Sequence, residues 1–134
     1  MYGNAHPSYP AGFKIHCTNG SVNKQLQGRI DGSLYWDGTM YSANFQISSD
    51  KRLKSDIKPI EDPLDKIDKL NGYTFNKVDV DGRTAGLIAQ DVESVLPEAI
   101  RENNDHYKTV NYSAVIGLLV EAVKQLKAQI NNKQ

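Results

Sequence analysis

The sequence predicts an α+β chain: a short β-rich, stalk-like piece over residues 1–48, then a mostly helical domain over 49–134 ending in a long coiled-coil helix. Three observations carry this reading. Of 16 basic and 16 acidic residues, only five (Lys14, Lys24, Arg29, Asp31 and Asp37) fall in the first 48 positions. That same piece is built of short alternating runs separated by Asn-Gly and Asp-Gly pairs, which suit tight turns because glycine accepts positive φ. Near the other end, Tyr112, Ile116, Leu119, Val123, Leu126 and Ile130 recur at spacings of 4, 3, 4, 3 and 4, a heptad seam.

Taken in order, His6-Pro7-Ser8-Tyr9-Pro10 reads as irregular, since two prolines remove donors and fix φ. Phe13 to Cys17 alternates with period two and predicts a strand, closed by Asn19-Gly20. Leu26 to Ile30 predicts a second strand. Asp31-Gly32 and Asp37-Gly38 flank Leu34-Tyr35-Trp36, and Met40 to Ile47 predicts another strand. So little core is available here that identical strands from several chains are expected to supply the burial.

From Ser49 onward the character is helical. Asp62-Pro63 predicts a helix start, with Asp as cap and Pro at the first helical position. Leu64, Ile67 and Leu70 share a face, and Asn71-Gly72 supplies the stop. Tyr73 to Val78 alternates as a strand, and Asp81-Gly82 is expected to turn the chain. Ala85 to Leu96 predicts a helix that Pro97 ends. Asn103-Asn104-Asp105 reads as a loop, and His106 to Val110 as a short extended piece. In the last helix Ile116, Val123 and Ile130 take the a positions, and Tyr112, Leu119 and Leu126 the d positions. Val115, Leu118 and Ala122 widen the stripe, so the helix is expected both to pack on its own domain and to join other copies. β-branched a residues with Leu at d favour two strands, so three must be argued from elsewhere.

Several functions are disfavoured. Formal net charge is zero, which gives no general electrostatic grip on nucleic acid or an anionic membrane. No apolar run approaches the ~18 residues of a membrane span, and the polar start Met1-Tyr2-Gly3-Asn4 does not read as a signal peptide. Cys17 is the single cysteine, expected to be a packed thiol in its strand. His6, His16 and His106 lack ligand spacing, so no metal is expected, and no cofactor. Asp79 to Gly82 superficially resembles a calcium loop but lacks the later glutamate and reads as a hairpin turn. Tyr35 and Trp36 read as packing before they read as a sugar platform.

Chemistry concentrates at Ser48-Ser49-Asp50-Lys51-Arg52-Leu53-Lys54-Ser55-Asp56. A serine hydroxyl needs a base, and a lysine serves when burial disfavours its charged form. Ser49 and Lys54, five apart, can meet in a turn but not in a straight strand. The spacing alone is a weak signal, and a solvated linker is its plain reading.

The stretch Ser49 to Ile57 resembles the start of the C-terminal intramolecular chaperone domain of phage tailspikes, tail fibres and endosialidases, the S74 peptidase family. The resemblance continues in Gly86-Leu87-Ile88-Ala89-Gln90-Asp91-Val92-Glu93 with Leu96-Pro97-Glu98-Ala99. It resumes in Val110-Asn111-Tyr112-Ser113 and in Leu118 to Leu126. It does not reach residues 1–48. The resemblance implies a homotrimer that trimerises and folds the preceding fibre stem, then releases itself by autoproteolysis. It implies catalytic Ser49 and Lys54, with the cut between Ser49 and Asp50. Arg52 falls on a basic position of the family pattern, either positioning or as a cation beside Lys54. Gln90 lies with Asp91 and Glu93 on a polar helix face that is solvated by default, and its place in a family block admits a buried hydrogen-bonding or positioning role. The seam from Tyr112 to Ile130 would carry the trimer, and Lys77 to Arg83 and Asn103 to Lys108 would touch the stem. The implied setting is a virion tail appendage, with the chaperone part acting in the host cytoplasm. The competing expectation is a coiled-coil tip that trimerises without cutting.

One geometric constraint applies. Attack by Ser49 on its own carbonyl would close a four-membered ring, and attack on that of Ser48 a five-membered one. A cut after Ser49 therefore calls on another copy's group, an activated water or the Asp50 carboxylate.

Overall fold

A computed structural model describes residues 12–20, 22–29, 32–36, 38–78, 80–103 and 106–133. The readings for 1–11, Ile30, Asp31, Asp37, Asp79, Asn104 and Asp105 lie outside these. The chain is mixed α/β and divides into two compact units, one ending at Leu53 and the other beginning at Lys54.

The first unit is an antiparallel meander of β1 (Phe13–Asn19), β2 (Val22–Gly28) and β3 (Leu34–Trp36). Asn19 pairs with Val22 at the end of the first ladder, and Leu26 pairs with Trp36 across the second. β2 thus begins earlier than its apolar residues suggest. Neither sheet face acquires a complete apolar layer: Phe13, Ile15 and Leu34 are more than half exposed, while Gln27 is buried. Cys17 is exposed rather than packed among the described residues. Met40 to Ile47 joins no sheet, contrary to its alternating pattern. Period two marks a segment fit for a sheet, but a strand also needs a hydrogen-bonded neighbour. Tyr41 and Phe45 are among the most exposed large side chains.

The second unit has a core. Its elements are α1 (Pro63–Ile67), β4 (Tyr73–Lys77), β5 (Val80–Gly86), α2 (Ala89–Val95), β6 (Ile100–Glu102), β7 (Lys108–Val110) and α3 (Tyr112–Asn131). Val92, Val95, Leu96, Ala99 and Ile100 meet Val115 and Leu118 of α3, with Ile60, Ile67, Leu70, Leu87 and Val110 around them. Pro97 closes α2 and opens a 3₁₀ turn to Ala99. The Ala99 carbonyl accepts the Asn111 N–H at 2.7 Å, and the Asn111 side chain caps α3 by accepting from the Ser113 N–H at 3.0 Å.

Three expectations change. Pro63 opens α1, but Asp62 makes no side-chain cap and sits at φ +48°. The Gln125 side chain of α3 instead accepts the Leu64 N–H at 3.3 Å. Residues 85 and 86 are not helical: Ala85 pairs with Thr74 and Gly86 with Tyr73, so the ladder takes residues that helical periodicity would have claimed. Asp81-Gly82 is not the turn but a bulge. Asn76 faces Arg83 and Lys77 faces Val80, leaving two residues out of the ladder, with Gly82 at φ +86° where only glycine is comfortable.

Leu118 and Val92 are the largest fully buried side chains. Leu118→Ala should lower the unfolding free energy by ~2–5 kcal/mol, read by chemical denaturation. Gln125→Ala, which removes one exposed hydrogen bond, should cost ~1 kcal/mol.

Candidate functional site

The junction is built around a short turn. Ser48 and Ser49 lie in exposed, irregular backbone, and residues Lys51–Leu53 form one 3₁₀ turn. The Leu53 N–H donates to the Asp50 carbonyl at 3.1 Å. The Asp50 carboxylate closes the turn a second time. Its Oδ1 accepts the Arg52 backbone N–H at 2.8 Å and Nε at 3.1 Å, and its Oδ2 accepts Nη2 at 2.7 Å. The fork of an arginine matches a carboxylate in this way, and a lysine cannot reproduce it. The Arg52 side chain holds the Asp50 carboxyl below its ordinary value, and the Arg52 backbone N–H adds to this. Arg52 is correspondingly more firmly protonated. Its charge is therefore compensated by Asp50, which favours the positioning role over that of a bare cation beside Lys54.

Lys54 begins the second unit and is exposed, so one chain does not supply the burial that a lysine base requires. Further on, Lys58 pairs with Asp56 at 3.1 Å, and Asp56 sits at φ +49°. Gln90 is exposed in the first turn of α2, on the solvated face expected of it by default and not in the buried role its family block admits.

The second feature is α3. At 3.6 residues per turn, Val115, Leu118 and Ala122 fall on one face, and all three are buried. The heptad positions Tyr112, Ile116, Leu119, Val123, Leu126 and Ile130 lie about a quarter turn round the helix and remain 46% to 63% exposed. Val120 extends this bare stripe. Its first residue also serves the fold: the Leu87 N–H donates to the Tyr112 hydroxyl at 3.0 Å. A Cβ on Gly86 would stand 2.5 Å from that hydroxyl, so the approach depends on glycine.

The polar arms are partly committed within their own unit. Arg83 donates to the Thr74 carbonyl at 2.9 Å and its hydroxyl at 2.6 Å, pinning β5 to β4. Lys108 pairs with Glu93, tying β7 to α2. Val78 at the β4 end is almost wholly exposed. Among the described residues no group of three His, Cys, Asp or Glu side chains could hold a metal, and no helix is long and apolar enough to cross a membrane. Trp36 is half-buried and donates to the Thr39 carbonyl at 3.3 Å, and Arg29 lies over the Tyr35 ring at 5.1 Å. Sequence reasoning missed the Asp50–Arg52 clamp, the Glu93–Lys108 pair and the Leu87–Tyr112 bond. Only the first carries a sequence signal, an acid two residues before an arginine.

Residues 49–101 match the family described as chaperone of endosialidase. The chain is similar to the long tail fibre protein Gp37 of Enterobacteria phage K3, 45% identical over 117 residues, covering 81% of this chain and 9% of that protein. Gp37 of Enterobacteria phage T2 is 45% identical over 109 residues, covering 75% of this chain and 8% of that protein. Gp37 of Salmonella phage S16 is 37% identical over 121 residues, covering 82% and 16%. The chain thus spans a small part of the length of these relatives.

The clamp predicts a pH dependence. A lowered folded-state value means that the clamp's contribution is fully present above the unfolded carboxyl value of about 3.9 and is lost as pH falls through the folded one. An NMR titration should place the Asp50 midpoint below the ordinary carboxylate range, and Arg52→Gln should return it there. An unchanged midpoint in that variant would remove Arg52 as the cause.

Proposed function

Residues 49–101 belong to the chaperone-of-endosialidase family, and from this we propose that the chain is the trimerising, self-cleaving end of a phage long tail fibre. In this reading residues 49–134 are the chaperone and 1–48 the end of the stem. The observation that carries it is the bare seam of α3. A helix that has already given Val115, Leu118 and Ala122 to its own core still presents a second apolar stripe over three heptads. Burial of that stripe needs other copies of the helix. The unlayered meander and the unladdered segment 40–47 have the same need.

Assembly through local helices precedes and registers the stem, whose non-local strand pairing is slow and exposed to aggregation. Once three chains are joined, stem folding becomes intramolecular at high effective concentration. The cut then traps the product, since a melted stem has lost its registering module. The released part acts in the host cytoplasm, and the stem remains on the virion.

At the junction, Ser49 and Lys54 are the catalytic pair. Copies packed over Lys54 would disfavour its ammonium form and expose a lone pair. Lys54 takes a proton from the attacking hydroxyl, either of water or of another copy's Ser49. The Ser49 carbonyl carbon gains that oxygen, and its bond to the Asp50 nitrogen breaks. The proton passes from Lys54 to the departing nitrogen. Where a serine attacks, water then hydrolyses the ester it has formed on the Ser49 carbonyl and frees that serine, so by either route one water is consumed, its hydroxyl ending on Ser49 and its hydrogen on Asp50. The carboxylate of Asp50 is a poor attacking group here, because both of its oxygens already accept from Arg52. Gln90, exposed on α2, would act from outside this core if it acts at all.

A second reading, a trimerising tip that is never cut, draws support from the exposure of Lys54 in one chain. Intact mass and a denaturing gel separate the two. The wild-type chain should yield fragments 1–49 and 50–134, and Ser49→Ala and Lys54→Ala should stay whole while still assembling. A wild type that assembles and stays whole supports the tip instead. Light scattering should give three chains, and Val123→Glu should give a folded single chain that is not cut, since Val123 lies on the seam and not in the core. A dimer would sink the three-chain scheme.

A further inference from the structure

We propose that Asp50 and Arg52 act as one positioning unit for the cut, holding the chain immediately downstream of the scissile bond in a closed turn. The proposal rests on the reading that this chain cleaves itself between Ser49 and Asp50, and it assigns to Asp50 a task other than that of a reacting group.

The argument begins with what the pair cannot be for. The Arg52 side chain is 88% exposed and that of Asp50 43%. Exposed ion pairs are screened by water and contribute little to stability, so the fold gains little from this one. Yet its geometry is highly specific. One carboxylate accepts three hydrogen bonds, two from the guanidinium and one from the backbone of the same residue. The Leu53 N–H to Asp50 carbonyl bond closes the same turn. Four hydrogen bonds thus fix the backbone of residues 50–53, immediately on the leaving-group side of the bond to be cut.

The consequence is one of reach. A 3₁₀ turn advances about 2.0 Å per residue, and a strand about 3.3 Å. The path from Asp50 to Lys54 is shortened accordingly, which a five-residue serine–lysine spacing requires. The clamp also removes the Asp50 side chain from the list of competing nucleophiles. Neither residue exchanges a proton: Asp50 stays a carboxylate and Arg52 stays a cation while the Ser49–Asp50 bond is hydrolysed as described. Both are positioning residues, and their effect is on rate and not on assembly.

The test is a double-mutant cycle on the full chain. Asp50→Asn, Arg52→Gln and the double variant are assembled, and the cut fraction is followed in a single turnover, with oligomer yield measured in parallel. Displacing a reacting geometry by about an ångström can cost up to ~100-fold. Each single change should therefore slow cutting by about tenfold or more at unchanged oligomer yield. The double variant should be no slower than the slower single, because the two act as one unit. Arg52→Lys should behave like Arg52→Gln, since an ammonium offers no fork. Single variants that cut at the wild-type rate, effects that multiply in the double variant, or full activity in Arg52→Lys would each overturn the proposal and leave self-cleavage standing. A wild type that never cuts would overturn the self-cleavage reading and this inference with it.

Discussion

The structure depends on how one helix divides its apolar surface. Twenty residues of α3 carry two stripes. Val115, Leu118 and Ala122 complete the core that α2 and the 3₁₀ turn after it begin. The neighbouring stripe from Tyr112 to Ile130 stays half in water. A helix serving only its own domain needs one apolar face about 100° wide. The second face is surplus in one chain and becomes intelligible when copies of the helix meet. The fold of the second unit and the proposed assembly are therefore read from one element, and apart from Tyr112, whose hydroxyl accepts from Leu87, they use different residues of it. Damage to either face can be told apart from damage to the other.

How much of this the sequence discloses follows from the range of the physics involved. Signals written in adjacent residues are legible. Pro97 ends α2, Pro63 opens α1, and the heptad spacing marks the long helix. Signals that need a partner far along the chain are not. Ala85 and Gly86 fit a helix by periodicity but are taken by the ladder with β4. The N-terminus of α1 is completed by Gln125, 61 residues away. Cys17 and Met40 to Ile47 fail in the opposite sense. Their patterns anticipate a covering layer or a pairing strand that one copy does not hold. At the junction, Ser49 and Lys54 stand out through resemblance, whereas the Asp50–Arg52 clamp leaves only a short-range trace, an acid two residues before an arginine, and its geometry comes from the coordinates.

The two units differ in how self-sufficient they are, and the difference fits the order of events proposed. The second has a buried cluster, capped helices and hairpins tied down by Arg83–Thr74 and Lys108–Glu93. The first has three strands with exposed Phe13, Ile15 and Leu34. A two- or three-stranded piece without a packed face is marginal in water. In the proposed scheme the self-sufficient unit folds first and the dependent one is completed by its counterparts in neighbouring chains.

Magnitudes then bear on why such a module could be released. Six seam side chains, each about half exposed, would gain roughly 1 kcal/mol apiece on full burial, or about 6 kcal/mol per helix. Bringing free chains together costs ~4–15 kcal/mol in lost translational and rotational freedom. The seam therefore lies near balance for separate chains, and in the proposed scheme the stem that folds after it adds the rest, because its pairing is by then intramolecular. In the proposed scheme, the intact Ser49–Asp50 link lets the helices and the stem keep the assembled chains in register together. After it is broken, the helices lose the tether and the completed stem keeps its own contacts. A seam much stronger than this would not let go, and one much weaker would not align the chains. The half-exposed stripe on α3 has the size that a temporary clamp requires.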